Sequence, residues 1–385
     1  MNVCILTPRF PFPENGGDVL RINNIARYLK AKGHRLILCS FFDNEVSESA
    51  KKDVEALYDD VFYVKRNKIV SYINVIKYFI LQKPMQCGYY ASRDFYKIFN
   101  RIKEEMDIDL YIAHLLRMTP YLEKSSIYDK AIIEMTDALS KTYNLSKNYK
   151  SFSLKKIIYK FEKKRIQNYE QKVINEFPKV VLVSQNDIDY LGGNENLAFH
   201  TNGIKCIETV TNYNKNKICF VGNMRTLQNQ EAVLSFIKNI FPVIKQSCPD
   251  VQFHVVGAEP PESIQKYSDG ISIFVTGFVD SVEEYIKDSC LLVAPVTIAA
   301  GIQNKVLIGM ACGIPVVLTS LIAKAIPELK NKDNCFIEDD SKKFAECCIN
   351  LINNEILRNK VADKGFALMK ECYSWDSLLA GYEVL

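Results

Sequence analysis

Short apolar runs alternate with helical patterns along the chain. In the first half, an apolar run at 2–7 is followed by a Pro- and Gly-containing loop, a helical pattern over Asp18–Ala31 and a second apolar run at 36–40. Asp18 suits the N-cap of that helix, and Gly33 suits its C-terminal cap. A strand–loop–helix–strand order predicts neighbouring parallel strands in an α/β sheet.

The same alternation restarts after a polar stretch around 212–216. The predicted strands of this half are 217–221, 252–256, 271–275, 291–295 and 315–319, and the predicted helices are 231–244, 282–287 and 305–310. We therefore expect two doubly wound domains, residues 1–205 (with 376–385 packing back on them) and residues 206–375. Ligands of such folds bind at the carboxyl ends of the strands, here in a cleft between the domains.

Composition and charge argue against several classes of function. Among 385 residues, 49 basic against 45 acidic residues give a net charge of +4, which is no basis for nucleic-acid binding. No basic segment followed by a long apolar run precedes Pro8, so a secretory signal is not expected and a cytoplasmic location is. The twelve cysteines are scattered without metal-ligand spacing, which favours free thiols in a reducing compartment.

Two segments of the first half raise the possibility of a membrane surface. Lys147–Lys172 carries nine basic residues against Glu162 and Glu170. It is either a solvated helix face or a helix that docks peripherally on anionic lipid at the inner face of the plasma membrane. The apolar stretch Ile69–Leu81 is too short to span a bilayer. It is either a buried helix or a second contact with the same surface.

Two glycine-containing turns precede predicted helices. Gly16 and Gly17 lie between a strand and a helix, where backbone N–H groups and the helix dipole favour an anion; a simple turn is the alternative. Gly301–Asn304 comes before a helix starting near Lys305, whose ammonium is placed to reach a diphosphate. An N-cap at Asn304 is the alternative there. His114 ends the apolar strand 110–113, a position where α/β enzymes carry chemistry.

These segments, taken in order, resemble the retaining GT-B glycosyltransferases of family 4, of the bacterial polysaccharide type. The resemblance is carried by Gly16-Gly17-Asp18 with Arg21, Asn202-Gly203-Ile204, Phe220-Val221-Gly222-Asn223-Met224, Val275–Val279, Gly301–Leu307 and Met310–Val317. It implies a GT-B fold, in which two Rossmann-like domains face a central cleft. It also implies a UDP- or GDP-linked sugar as co-substrate, a saccharide or lipid-linked saccharide as acceptor, and no other cofactor.

The resemblance also implies roles for single residues. Donor-binding residues would be Gly16, Gly17, Gly222, Asn223, Val279, Gly301, Ile302, Gln303, Asn304 and Ile308. Catalytic residues would be His114, Lys305 and Arg225, and acceptor-binding residues would be Arg21 and Asp137. The leaving diphosphate would be stabilised by Lys305, Arg225 and backbone amides, so that neither a metal nor a protein nucleophile is expected.

The chain departs from the family pattern in the nucleotide region. Ala300 and Ile308 stand where two glutamates are usual, and Asn223 and Asn229 replace the usual Arg and Lys. Loss of the glutamate at 308 would weaken donor binding by about 1–3 kcal/mol if nothing replaces it. Two alternatives therefore stay open, a non-catalytic GT-B binding protein and a nucleotide-sugar epimerase. A dinucleotide-dependent dehydrogenase is disfavoured, because neither strand–helix turn reads G-x-G-x-x-G.

Overall fold

The computed structural model describes residues 1–14, 16–43, 45–145, 154–207, 213–297 and 302–384, with the backbone alone at 142, 144–145 and 154–160. The chain divides into two compact units. Unit 1 comprises Met1–Asn202 and Leu378–Leu385, and unit 2 comprises Gly203–Ser377.

Unit 1 is built on a parallel sheet of seven strands among its described residues, in the order β3-β2-β1-β4-β5-β6-β7. The strands are β1 (Asn2–Thr7), β2 (Arg35–Phe42), β3 (Asp60–Lys65), β4 (Leu110–His114), β5 (Ala131–Thr136), β6 (Lys179–Leu182) and β7 (Leu197–Phe199). The central strands β1 and β4 are buried along almost their whole length, as expected for a sheet covered on both faces.

The helices of unit 1 supply the covering layers. They are α1 (Gly17–Ala31), α2 (Glu48–Leu57), α3 (Lys68–Ile80), α4 (Met85–Tyr89), α5 (Arg93–Glu105), α6 (Thr119–Lys124), α7 (Leu139–Leu145), α8 (Leu154–Glu176) and α9 (Gln185–Tyr190), with a 3-10 turn at Leu116–Met118. Helix α5 illustrates why these segments form helices that cover the sheet. Ser92 caps its first turn, and Phe95, Phe99 and Ile102 form one buried face at helical spacing.

Unit 2 repeats this architecture on six parallel strands in its described part, in the order β10-β9-β8-β11-β12-β13. The strands are β8 (Asn214–Val221), β9 (Gln252–Val256), β10 (Ile273–Gly277), β11 (Ser289–Ala294), β12 (Val316–Leu318) and β13 (Phe336–Ile337). The helices are α10 (Leu227–Ser235), α11 (Phe241–Ser247), α12 (Glu262–Gln265), α13 (Val282–Ile286), α14 (Asn304–Ala311), α15 (Ser320–Ala323), α16 (Ser341–Asn353), α17 (Glu355–Leu368) and α18 (Trp375–Leu378). Each unit has its own hydrophobic core, and the predicted α/β fold is confirmed.

Several predicted boundaries needed correction. Helix α1 begins at Gly17 with Gly16 as its N-cap, so Asp18 is not the cap but lies in the first helical turn. The strand predicted at 271–275 runs two residues later, over Ile273–Gly277. The helix predicted at 231–244 contains a π-helical segment at Phe236–Ile240. Pro242 follows two residues after this segment, in the first turn of α11, and its missing N–H disturbs the α-helical hydrogen-bond ladder.

Helix α3 is not the buried helix that was one interpretation of Ile69–Leu81. Among its side chains Ser71 alone is buried, and most of the apolar ones are exposed. No helix in the described part of the chain is both long and apolar enough to cross a membrane. Much of the basic segment Lys147–Lys172 lies outside the described residues, because the structure omits 146–153 and the side chains of 154–160.

Candidate functional site

The carboxyl edge of the unit 2 sheet is built from two glycines in close contact. Gly222 follows β8 and donates its N–H to the carbonyl of Val256 at 3.0 Å. Gly257 follows β9 with φ +149°, and a Cβ atom there would lie 1.9 Å from the carbonyl oxygen of Gly222. A Cβ on Gly222 would in turn meet the side chain of Asn229 at 2.7 Å. Position 257 therefore requires glycine, whereas a side chain at Gly222 would displace the amide of Asn229. Gly257 was not among the predicted site residues.

Lys305 lies near this edge with its ammonium buried. Its side chain is 6% exposed. Nζ donates to Asn229 Oδ1 at 2.8 Å and to Gln303 Oε1 at 3.2 Å, and it lies 5.1 Å from the ring centroid of Phe220. Burial lowers the pKa of Lys305 from 10.5 to about 8. Both hydrogen-bonding partners are neutral, so the ammonium carries a charge that no carboxylate of the described residues balances.

Lys305 is in the first turn of α14, whose first backbone N–H groups have no carbonyl one turn earlier. The helix begins at Asn304 with Gln303 as N-cap and without a side-chain capping bond, so the alternative of an N-cap at Asn304 is wrong. Ile302 is 43% exposed and Asn304 is exposed. Gly301 and Ala300 lie outside the described residues, and their predicted roles stay predictions.

The sequence did not predict the role that Asn229 has in this site. Its Oδ1 accepts from Lys305, and its Nδ2 donates to the carbonyl of Asn223 at 2.8 Å. Asn229, which the sequence interpretation took as the replacement of a lysine, therefore orients a lysine from another helix. One cation is retained near the edge, supplied by α14.

Arg225 lies in the loop between β8 and α10. Its guanidinium forms an ion pair with Glu259, and both side chains are largely exposed. Glu259 follows β9 with φ +56°, a conformation uncommon for residues other than glycine. To bind a phosphate, Arg225 would have to exchange this carboxylate partner for the ligand. Its predicted catalytic role stays a prediction.

The apolar donor-site residues have mixed surroundings. Ile308 and Val279 are partly buried and pack against the core of unit 2, whereas Phe278 beside Val279 is 74% exposed. Ile308 follows Lys305 by almost one helical turn, so the two lie on the same side of α14.

The carboxyl edge of the unit 1 sheet holds the other predicted residues. Gly16 has φ +130°, and a Cβ atom there would lie 2.8 Å from Nη2 of Arg9. Arg9 forms an ion pair with Asp18, which joins the loop after β1 to the start of α1. Nothing lies within 4 Å of a Cβ built on Gly17, so there is open space beside the first residue of α1.

His114 ends β4 and is 2% exposed. Neither ring nitrogen has a hydrogen-bond partner among the described residues. Burial lowers the pKa of His114 to about 3, with Arg21 and Arg117 adding to the effect against Asp18. The imidazole is therefore neutral at physiological pH and offers one donor and one acceptor, which suits neutral sugar hydroxyls.

Arg21 is placed differently from its predicted role. Its side chain is completely buried, and it donates to Glu134 at 2.8 and 3.2 Å and to Asn202 at 3.0 Å. Tyr382 donates to the same carboxylate at 2.9 Å. With no exposed surface, Arg21 holds the end of β5 and the C-terminal segment together. This argues against its prediction as an acceptor-binding residue.

Asp137, the other predicted acceptor residue, is exposed just beyond β5. The preceding Thr136 has φ +70°, and its buried hydroxyl has no partner among the described residues. A β-branched residue held in this region is strained, and such strain concentrates at functional sites. Among the described residues no group of three His, Cys, Asp or Glu side chains is gathered to hold a metal ion.

Comparisons with known proteins give a family match for part of unit 2. Residues 215–354, most of unit 2, match the family model described as glycosyl transferases group 1. Residues 215–354 therefore carry the sequence of a group 1 glycosyltransferase domain. A protein described as an uncharacterised 44.6 kDa protein in the cps region of Klebsiella pneumoniae is 21% identical to this chain, over 96% of both chains.

Solved structures show the same GT-B fold. Alr3699/HepE of Anabaena, crystallised in complex with UDP, aligns with a TM-score of 0.59 at 13% identity, over 99% of this chain and 98% of its own. TarM of S. aureus, as a G117R mutant in complex with Fondaparinux, alpha-GlcNAc-glycerol and UDP, aligns with a TM-score of 0.60 at 10% identity, over 99% of each chain. The fold of both units is thus shared along their full length.

Proposed function

We propose that this chain is a group 1 glycosyltransferase that moves a hexose-type sugar from a UDP-linked donor to a saccharide or lipid-linked saccharide, with retention, in the synthesis of a bacterial surface polysaccharide. The observation that carries the proposal is the buried ammonium of Lys305. It is held by Asn229 and Gln303 without a carboxylate, beside the N-terminus of α14. A site that keeps an unbalanced buried cation is suited to an anionic ligand.

The donor and the biological setting are supported by the relatives. HepE was crystallised with UDP and with UDP-glucose, and TarM with UDP. The Klebsiella pneumoniae relative is described by its place in a cps region. We therefore assign a UDP-sugar to unit 2 and polysaccharide synthesis to the chain.

The chemistry follows from what each group offers. The bond between the anomeric carbon and the diphosphate oxygen breaks, and Lys305 with the amides of α14 stabilises the charge of the leaving UDP. The acceptor hydroxyl forms the new bond on the same face, and its proton passes to an oxygen of the departing diphosphate. His114, neutral and with both nitrogens unpartnered, hydrogen-bonds the sugar hydroxyls without repelling the developing positive charge. Asp137 orients the acceptor.

The test has two parts. Calorimetry with UDP, GDP, UDP-glucose and other nucleotide sugars measures donor binding, and chromatography with a lipid-linked saccharide measures transfer. Binding of a UDP-sugar followed by a product of retained configuration is the expected result. No binding of any nucleotide would favour a non-catalytic GT-B protein, and conversion of the donor without acceptor would favour an epimerase.

Donor binding is expected to depend on pH through Lys305. The pKa of its ammonium is about 8 without ligand, and a bound diphosphate raises it, because the anion favours the charged form. Affinity for UDP-glucose is therefore constant below about pH 7 and falls by up to about tenfold towards pH 9. Calorimetry across this range measures the change. A Lys305→Met variant should show no such fall, and a parent protein with a flat profile would contradict the assignment.

His114 is expected to act through hydrogen bonds and not through its charge. His114→Phe keeps the buried ring and removes both nitrogens, so the kcat of transfer should fall by about 10–100-fold while UDP affinity stays unchanged. Because the imidazole is neutral above about pH 4, no rate change near pH 6.5 should trace to this residue. A parental kcat in the His114→Phe enzyme would show that His114 is not part of the active site.

A further inference from the structure

Helix α3 carries an apolar face that is largely exposed in the described part of the chain, although the guanidinium of Arg165 lies 4.4 Å from the ring centroid of Phe79. Five of its residues recur at spacings of one, three or four positions and are between 60% and 73% exposed. These residues are Ile69, Tyr72, Ile73, Ile76 and Ile80. Leu81 and Phe79 extend the surface at 52% and 45% exposure. A contiguous patch of this kind on a folded unit marks an interaction surface.

The charged residues within the segment 61–93, which contains α3, are of a single sign. No Asp or Glu occurs from residue 61 to residue 93. The same segment carries six basic residues, Lys65, Arg66, Lys68, Lys77, Lys83 and Arg93. All but Arg66 are exposed. An amphipathic helix with isoleucine and tyrosine on one side, lysines at its margins and no acidic residue is complementary to an anionic lipid surface.

A cavity of about 590 Å³ adjoins this helix within unit 1. Its lining includes Arg66, Lys77, Arg93 and Arg117 together with Tyr89 and Tyr90. Asp94 is the acidic residue among the lining side chains. The cavity is thus basic and aromatic, and α3 forms one of its walls.

Arg66 is the buried cation of this cavity. It is 9% exposed and lies 4.2 Å from the ring centroid of Tyr89. Two of its guanidinium nitrogens bind Asp43, while Nη1 is buried without a hydrogen-bond partner among the described residues. Arg117 lies 5.2 Å from the Tyr90 ring centroid. Arg66 also lies 5.1 Å from the Tyr90 ring centroid, and both arginines line the cavity. A buried guanidinium with an unused donor, in a cavity lined by a second arginine, suits a phosphate oxygen.

We propose that α3 lies in the headgroup region of an anionic phospholipid bilayer, with its apolar face toward the acyl chains. The adjoining cavity then receives the phosphate of an anionic lipid through Arg66 and Arg117. The sequence offered Ile69–Leu81 as a second contact beside the basic segment Lys147–Lys172, whereas the proposal places the main contact on α3 itself. It goes beyond the proposed transfer reaction, because binding to the bilayer needs neither donor nor acceptor.

The test is co-sedimentation of the full chain with vesicles of phosphatidylcholine alone and with vesicles that also contain phosphatidylglycerol. We expect clear binding to the anionic vesicles and at least tenfold weaker binding to the neutral ones. Ile73→Glu combined with Ile76→Glu should weaken binding to anionic vesicles at least tenfold. The matched control places glutamate at two exposed isoleucines of unit 2, Ile271 and Ile356, which are 74% and 85% exposed, and should bind like the parent.

The cavity is tested separately with Arg117→Gln, which is expected to reduce the preference for anionic vesicles while weak binding to neutral ones stays unchanged. Inorganic phosphate, titrated without vesicles, should bind far more weakly than the lipid surface. Equal binding to both vesicle types, no binding to either, or an unchanged Ile73→Glu/Ile76→Glu variant would overturn the proposal. Calorimetry of the same variants with UDP separates the two hypotheses, since nucleotide affinity should match that of the parent.

Discussion

Replacing Lys305 with methionine is expected to weaken UDP binding by about 2–3 kcal/mol, or about 30- to 150-fold. Methionine fills nearly the same volume but removes the ammonium that Asn229 and Gln303 hold in place. The loss should appear in the affinity for UDP and for UDP-sugars alike, because the contact is with the diphosphate that they share. Calorimetry measures both, and parental affinities would show that the diphosphate binds elsewhere.

The same substitution is expected to stabilise the protein without ligand. The pKa of Lys305 falls from 10.5 to about 8 through burial, so keeping its charge in the folded state costs about 3 kcal/mol. That cost is present below about pH 8, and it disappears as pH rises toward the pKa of the unfolded chain, where both states are neutral. Lys305→Met should therefore raise the free energy of unfolding of unit 2 by about 1–3 kcal/mol near pH 7. Denaturant unfolding at neutral and alkaline pH measures this difference, which should shrink at alkaline pH.

Lys217 provides the matched control. It is also a buried lysine of unit 2, at 8% exposure, but its ammonium contacts Asp288 at 2.7 Å and the carbonyl of Tyr285 at 2.5 Å. Lys217→Met should leave UDP affinity unchanged and should not stabilise the protein. If both variants changed stability in the same direction, the absence of a carboxylate partner would not be the cause of the free-energy cost of keeping Lys305 charged.

Much of the fold could be predicted from the sequence, for a local reason. The strands Asn2–Thr7 and Gln252–Val256 are apolar runs bounded by polar residues, and such runs define buried parallel strands without knowledge of their neighbours. Where neighbouring residues were equally compatible with two elements, the observed boundary of the helix or strand differs from the predicted one. Gly16 took the cap position predicted for Asp18, because a glycine with φ +130° can turn the chain into α1 where another residue would be strained.

The candidate site was less predictable, because its contacts join distant parts of the chain. Lys305 was recognised from its place beside a glycine-containing turn, but its partner Asn229 lies 76 residues away. That asparagine was interpreted as the loss of a cation. The sequence shows that the segment 61–93 contains no Asp or Glu. Only the structure shows that the apolar residues of α3 are exposed. Burial of a single helix depends on what packs against it, and periodicity does not specify that.

Arg21 and Glu134 show the same limit of prediction from sequence. Here, however, the sequence predicted a functional role that the structure argues against. They are 113 residues apart, and the sequence offered an acceptor-binding role for an arginine that the structure buries completely. The ion pair is bidentate, and Tyr382 and Asn202 satisfy further donors and acceptors. In the register of β4 against β5, Glu134 is paired with His114. The ion pair thus fixes the strand end beside the candidate catalytic histidine.

Glu134→Gln is therefore expected to destabilise unit 1 by about 3–5 kcal/mol, because the isosteric amide leaves the buried guanidinium of Arg21 without a counter-charge. Hydrogen exchange followed by mass spectrometry should show faster exchange in β1, β4, β5 and the segment 378–384, with unit 2 unchanged. Glu105→Gln is the matched control, since Glu105 pairs with Arg101 on the exposed surface of α5, where such a pair contributes less than about 1 kcal/mol. Combining Arg21→Met with Glu134→Leu should recover much of the lost stability, because it removes both buried charges together. Stability of the single variant close to that of the parent would mean that Arg21 finds water or another acceptor, and that the pair does not hold the strand end in place.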